Sequence, residues 1–115
     1  MLIPSKNAKI PSYIKDGPDM TKTIILDFLK AHKQELNDKF GIEELALFGS
    51  YAKDEEKENS DIDLVVIEMR KKNAFTLINA KRFLSQSLKK EVDLGLLDSM
   101  RPFIRSRIQQ EMIYV

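Results

Sequence analysis

The feature that most constrains the fold is a run rich in apolar and β-branched residues within 61–68. The run contains Ile62, Leu64, Val65, Val66 and Ile67. β-Branched side chains suit an extended backbone, and a strand without regular polar alternation is usually covered on both faces. The run therefore predicts a central strand over 61–68, with other elements packed on both sides of it.

Weaker patterns place the remaining elements around this strand. Apolar positions recur at helical spacing from Ile25 to Phe40, which predicts one long helix that ends at Gly41. Asp19 or Thr21 is suited to cap its start. The other predicted elements are a strand over 44–48, a short helix over 51–55, a charged loop over 54–59, a helix after Asn73, a strand over 91–97 and a helix from Pro102. This order indicates an α/β (α+β) domain.

The chain is expected to divide at residue 20. Residues 1–19 hold three of the four prolines and show no sustained periodicity, which predicts an extended N-terminal arm. Residues 20–115 are then one domain, because a chain of 115 residues suits a single hydrophobic core. The last three residues, 113–115, are an apolar end to which no helix or strand is assigned.

Composition narrows the class of protein. Charged residues make up 32% of the chain but cancel to a formal net charge of +1, so direct nucleic-acid binding is not expected. The chain has no cysteine, which excludes disulfides and thiol catalysis. It has no apolar run of the roughly 18 residues that cross a bilayer, and Met1 to Ile3 is too short an apolar start for a signal peptide. A cytoplasmic location without membrane attachment is therefore expected.

Two aspartates flank Ile62 at the start of the central strand. Alternate side chains of a strand project from the same face, so Asp61 and Asp63 are expected side by side, where two anions repel unless a cation lies between them. Asp93, in the next predicted strand, is a candidate for a third oxygen ligand. Three carboxylates suit Mg²⁺ or Mn²⁺, which complete their coordination with water and substrate phosphate.

A glycine and a serine follow the strand predicted over 44–48. Gly49 allows the backbone to approach an anion closely, and the free amides that open a helix attract phosphate. Ser50 adds a hydroxyl donor. A phosphate-binding turn beside a metal site indicates that a nucleoside triphosphate binds there. Positive charge would then stabilise the departing pyrophosphate, which is the chemistry of nucleotidyl transfer.

The segment Phe48-Gly49-Ser50, followed after ten residues by Asp61-Ile62-Asp63-Leu64, resembles the motif of the DNA polymerase beta-type nucleotidyltransferase superfamily. Within it, residues 47–52 and 60–65 resemble the minimal nucleotidyltransferase (MNT) family. The resemblance implies a nucleotidyltransferase fold, a small mixed sheet flanked by helices, in which Asp61, Asp63 and Asp93 are the catalytic metal ligands. It also implies ATP as substrate and a HEPN-domain ribonuclease toxin as partner, since family members commonly act as antitoxins and some attach AMP to a toxin tyrosine.

This chain departs from the usual sequence in two places, at Lys53-Asp54 and at Gly95. The family usually has arginine and glycine where this chain has Lys53 and Asp54. The compact ammonium of lysine therefore replaces the planar guanidinium of arginine. Lys53 nevertheless remains a candidate phosphate ligand beside Gly49 and Ser50. Gly95 lies inside the third predicted strand, where a β-branched residue is more usual.

The residues and the resemblance together predict an ATP-dependent protein adenylyltransferase that acts as the antitoxin of a HEPN-type toxin and transfers AMP to a toxin tyrosine. The acceptor is expected on another chain, in a homo- or hetero-oligomer. Two alternatives stay open: a weakly active or inactive antitoxin that neutralises its toxin by contact, and a free-standing nucleotidyltransferase for a small hydroxylated acceptor. His32, the single histidine, is expected to pack rather than catalyse.

Overall fold

The computed structural model describes residues 20–115, and the arm predicted over 1–19 lies outside them. The helices are α1 (Lys22–Ala31), α2 (Lys33–Phe40), α3 (Gly49–Ala52), α4 (Ala74–Leu88) and α5 (Pro102–Glu111), with a 3-10 turn over Leu97–Ser99. The strands are β1 (Ile42–Phe48), β2 (Ile62–Met69), β3 (Val92–Leu96) and β4 (Ile113–Tyr114). The order of elements confirms the predicted α+β class.

The strands described in residues 20–115 form a mixed sheet in the order β3-β2-β1-β4. β1 runs antiparallel to β2 and β4, whereas β2 and β3 are parallel. The prediction of a central strand is confirmed, because β2 lies inside the sheet and four of its side chains are fully buried: Ile62, Leu64, Val65 and Val66. Its bounds move by one residue, so that Asp61 precedes the strand.

The two faces of the sheet are covered by different helices. One face packs against α1, α2 and α4 in a large cluster that includes Ile25, Leu36, Leu64 and Leu84. The other face packs against α5 and the 3-10 turn in a smaller cluster of Ala46, Val65, Leu97 and Ile108. Side chains of β2 contribute to both clusters, so this strand connects the two halves of the core.

The apolar stripe from Ile25 to Phe40 is divided between two helices. The prediction of one long helix is wrong at His32, which has φ −106° and ψ 12° and separates α1 from α2. The His32 ring stacks on the Phe28 ring at a centroid distance of 4.0 Å, and its Nδ1 lies 2.9 Å from the Phe28 carbonyl oxygen. These contacts hold His32 at the break and confirm its packing role.

Other element ends also differ from the predictions. α3 covers 49–52 rather than 51–55, and β3 ends at Leu96 because the next three residues form the 3-10 turn. The apolar end, to which no element was assigned, contains β4, in which Tyr114 pairs with Ala46. This pairing joins distant parts of the chain and therefore has no local sequence signal.

The start of α4 is as predicted. The Asn73 side chain accepts hydrogen bonds from the backbone amides of Phe75 (2.8 Å) and Thr76 (3.2 Å). These bonds satisfy amides that the first helical turn leaves without a partner. Within residues 20–115, none of the helices has both the length and the apolar character needed to cross a membrane.

Leu64→Ala should lower the free energy of unfolding by about 2–5 kcal/mol, because it leaves a cavity where a side chain with 0% exposure packs in the larger cluster. Phe75→Ala truncates a larger side chain that is 79% exposed, and should change stability by less than about 0.5 kcal/mol. Chemical denaturation of both variants measures the difference. Equal losses would show that the core is wrongly placed.

Candidate functional site

The three predicted aspartates meet at the start of the β2 and β3 pair. The parallel register sets Asp63 beside Asp93, and Asp61 comes directly before β2. Asp63 is half-buried, whereas Asp61 and Asp93 are exposed. Partial burial, followed by the charges of Asp93 and Asp61, raises the pKa of Asp63 above its ordinary value. The three carboxylates, here called the acidic edge, are thus within electrostatic reach of one another.

The acidic edge has the donor chemistry of a divalent cation site. Carboxylate oxygens are ligands that Mg²⁺ and Mn²⁺ favour, and a cation offsets the repulsion felt by a half-buried anion. In the described residues, 20–115, no three acidic or imidazole side chains are already arranged to hold an ion. A cation would therefore have to draw Asp61 and Asp93 toward Asp63, and the exposure of both side chains permits that movement.

Gly49 lies directly against the acidic edge. Its φ is +78°, and a Cβ added there would overlap the Asp63 carboxylate and lie 3.1 Å from the Asp63 Cβ. An L side chain would suffer both backbone strain and this clash. The antiparallel register of β1 and β2 makes Phe48 the partner of Asp63, which carries the following turn onto the acidic edge. The structure therefore brings the two halves of the sequence motif together.

Ser50 occupies the first turn of α3. Its backbone carbonyl accepts hydrogen bonds from the amides of Lys53 (3.2 Å) and Glu55 (2.8 Å). Its hydroxyl makes no hydrogen bond with another residue of the described 20–115. With respect to these residues, the hydroxyl is available to donate to a ligand at the turn.

Lys53 follows α3 and is held by two acids. Its Nζ lies 3.7 Å from a Glu111 carboxylate oxygen and 3.9 Å from one of Glu55. Both ion pairs are long, and the Lys53 side chain is 42% exposed, so the pairs are weak. Lys53 is near the turn as predicted, but a phosphate would have to compete with these carboxylates for its ammonium.

The two departures from the usual sequence have local explanations. Asp54 has φ 56°, a conformation that glycine adopts freely and aspartate tolerates, so the turn keeps its shape without glycine. Its carboxylate pairs with Lys22 Nζ at 2.9 Å. At Gly95, an added Cβ would lie 2.9 Å from the Met100 Cε, so Met100 occupies the space that a β-branched side chain would need.

A cavity of about 240 Å³ opens between the turn and α5. Its lining residues are Phe48, Gly49, Lys53, Ile104, Arg107, Ile108 and Glu111. Arg107 and Glu111 were not predicted as site residues, because both lie between the apolar positions of an ordinary amphipathic helix. The spacing i, i+3, i+4 and i+7 from Ile104 puts them on the same face as Ile108, and this spacing is the signal that could have revealed them.

Comparisons with known proteins show the family of this chain. Residues 29–115, which include all the site residues above, match the family model described as a nucleotidyltransferase domain. Protein adenylyltransferase MntA of Thermococcus cleftensis is 34% identical over 96 residues, which cover 84% of this chain and 97% of the relative. The chain belongs to the nucleotidyltransferase family.

Solved structures place this nucleotidyltransferase among the minimal members of the family. A structure described provisionally as a minimal nucleotidyltransferase superimposes with a TM-score of 0.70 at 25% identity, covering 84% of this chain and 98% of the other. A toxin-antitoxin structure with AMP-PNP has the same fold, with a TM-score of 0.62 at 22% identity and coverage of 83% and 72%. The family and the mixed-sheet fold implied by the motif are both confirmed.

Without a divalent cation, Asp63→Asn should be as stable as the wild type near pH 7 or slightly more stable. A raised pKa means that ionised Asp63 destabilises the folded state, an effect that is absent below about pH 4 and grows as pH rises through the folded-state pKa. The difference in unfolding temperature should therefore shift in favour of the variant between pH 4 and pH 7.

Asp98→Asn is the matched control for this measurement. The hydrogen bond and charge of Lys72 lower the pKa of Asp98, so its carboxylate stabilises the fold above its ordinary pKa and this contribution is lost as pH falls. Because this loss falls below about pH 4, the control should show no shift in favour of the variant between pH 4 and pH 7. If Asp63→Asn were the less stable protein at both pH values, a favourable interaction would be holding the Asp63 carboxylate.

Proposed function

We propose that this nucleotidyltransferase is an ATP-dependent protein adenylyltransferase and the antitoxin of a HEPN-type ribonuclease toxin, to which it attaches AMP at a tyrosine. The observation that carries the proposal is the contact between the acidic edge and the Gly49 turn. The comparisons support it, since one relative is named a protein adenylyltransferase and one structural neighbour is a toxin-antitoxin structure with AMP-PNP.

The donor side of the reaction follows from the positions of the side chains. The acidic edge would hold Mg²⁺ or Mn²⁺, and the Gly49 amide, the Ser50 hydroxyl and Lys53 would bind the triphosphate. The bound cation supplies positive charge that offsets the phosphates and the leaving pyrophosphate. Asp63 lies between the Gly49 turn and Asp93. It would therefore set the positions of the turn and of Asp93 with respect to the α-phosphate.

The transfer step is a displacement at the α-phosphorus of ATP. The tyrosine oxygen of the partner forms a bond to this phosphorus, the bond from the phosphorus to the bridging oxygen breaks, and pyrophosphate leaves with the electron pair. Asp93, which is exposed at the acidic edge, accepts the hydroxyl proton. The attached AMP adds negative charge to the toxin and repels RNA phosphates.

A second candidate function is neutralisation by contact, with little or no AMP transfer. The observation in its favour is that Lys53 is shared between Glu55 and Glu111 rather than free for phosphate. Under this hypothesis, binding of the toxin does not depend on the acidic edge. The third hypothesis, a free-standing enzyme, requires transfer to a small hydroxylated acceptor without any toxin.

ATP should bind to the full chain only when a divalent cation is present, because the triphosphate and the acidic edge are both negative. Isothermal titration calorimetry with Mg²⁺ and with excess chelator measures this dependence. Equal affinity under both conditions would remove the bridging role assigned to the cation.

Incubation of the toxin with this protein, ATP and Mg²⁺ should raise the intact mass of the toxin by one or more AMP units and stop its RNA cleavage. Asp61→Ala/Asp63→Ala should abolish both effects, and Asp98→Ala, which removes an exposed acid outside the acidic edge, should abolish neither. Equal neutralisation by wild type and double variant, with no added mass, would favour the contact hypothesis. Replacement of the modified tyrosine by phenylalanine tests the acceptor.

A further inference from the structure

The face of α5 that lines the cavity carries two charged side chains of opposite sign. Arg107 and Glu111 share this face with Ile104 and Ile108. Ile108 is 6% exposed and packs in the smaller core cluster with Val65. Because Ile108 is fixed in the core and α5 contacts α3, Arg107 and Glu111 line the same cavity as Gly49.

Arg107 is the cation of this face, and it differs from Lys53 in its partners among residues 20–115. Within the described part of the chain, no carboxylate lies within ion-pair distance of its guanidinium. The guanidinium carbon lies 6.0 Å from the centre of the Phe103 ring, and Phe103 is itself exposed on the same helix. A guanidinium presents parallel N–H donors that match two phosphate oxygens. With respect to residues 20–115, Arg107 thus has donors available beside the turn that approaches the acidic edge.

Lys53 is the other cation of the cavity, and its situation is different. It is paired with Glu111 from α5 and with Glu55 from its own loop. Glu111 follows Arg107 by one helical turn and so places a carboxylate in the same cavity. In the free protein the Glu111 carboxylate is paired with Lys53, which is one of the two cations that an incoming phosphate would contact.

We infer that Arg107 binds the triphosphate of the donor nucleotide from the α5 side of the cavity, and that Glu111 weakens this binding by holding Lys53. The inference rests on the proposed function, in which a nucleoside triphosphate is the donor. Arg107 on α5 then supplies a planar guanidinium, which the lysine at position 53 cannot provide. Because the contact is to phosphate, it does not select the base.

Calorimetry on the full chain with Mg²⁺ tests the inference, with ATP and inorganic tripolyphosphate as separate probes. Arg107→Gln should raise the Kd for both probes about tenfold or more, because a charge-assisted hydrogen bond is lost. Glu111→Gln should lower both Kd values, since it frees Lys53. Arg82→Gln, which removes an exposed arginine of α4, has the same change in net charge and should leave both Kd values unchanged.

Arg107→Lys keeps the charge without the planar guanidinium and should give an intermediate Kd, so it replaces Arg107→Gln if that variant does not fold. An unchanged Kd in Arg107→Gln, or a loss seen with ATP but not with tripolyphosphate, would overturn the inference and leave the proposed function intact. Weaker binding by Glu111→Gln would overturn the role given to Glu111. A wild-type chain that binds no ATP in Mg²⁺ would overturn the proposed function as well.

Discussion

The parallel pairing of β2 with β3 is the constraint on which the candidate site depends. It sets Asp63 beside Asp93, and the same register pairs Leu64 with Leu94 in the core. Burial of the apolar pairs holds the strands together although the carboxylates repel one another. Partial burial, and after it the charges of Asp93 and Asp61, raises the pKa of Asp63. The acidic edge is thus an unfavourable local arrangement that the hydrophobic core sustains, and that a divalent cation would relieve.

The Gly49 side of the site depends on β1, which is the other strand that pairs with β2. The antiparallel register with β1 delivers Gly49 onto the Asp63 carboxylate, at a distance that no side chain would allow. α5 then closes the cavity from the smaller face of the sheet, where Ile108 anchors it. One strand therefore positions the carboxylates, the turn and, through the core, the charged face of α5.

Local sequence patterns predicted much of this arrangement. The apolar run of β2, the Asn73 cap and the spacing of the Gly-Ser turn from the aspartates each depend on neighbouring residues, and such patterns are visible in one sequence. The break at His32 depends instead on ring packing against Phe28 in the folded chain. β4 requires pairing with residues far away in the sequence. Arg107 can be recognised as a candidate site residue only from the position of α5 beside the Gly49 turn in the folded chain.

The cation site at the acidic edge can be tested most directly by binding of Mn²⁺ to the full chain. Electron paramagnetic resonance, with Mn²⁺ titrated in the presence of a non-hydrolysable ATP analogue, distinguishes free from bound Mn²⁺, and the analogue alone gives the nucleotide-bound background. Wild type and Asp98→Asn should bind Mn²⁺ beyond this background, whereas Asp63→Asn and Asp93→Asn should not. Equal Mn²⁺ binding by wild type and Asp63→Asn would contradict a cation site at the acidic edge.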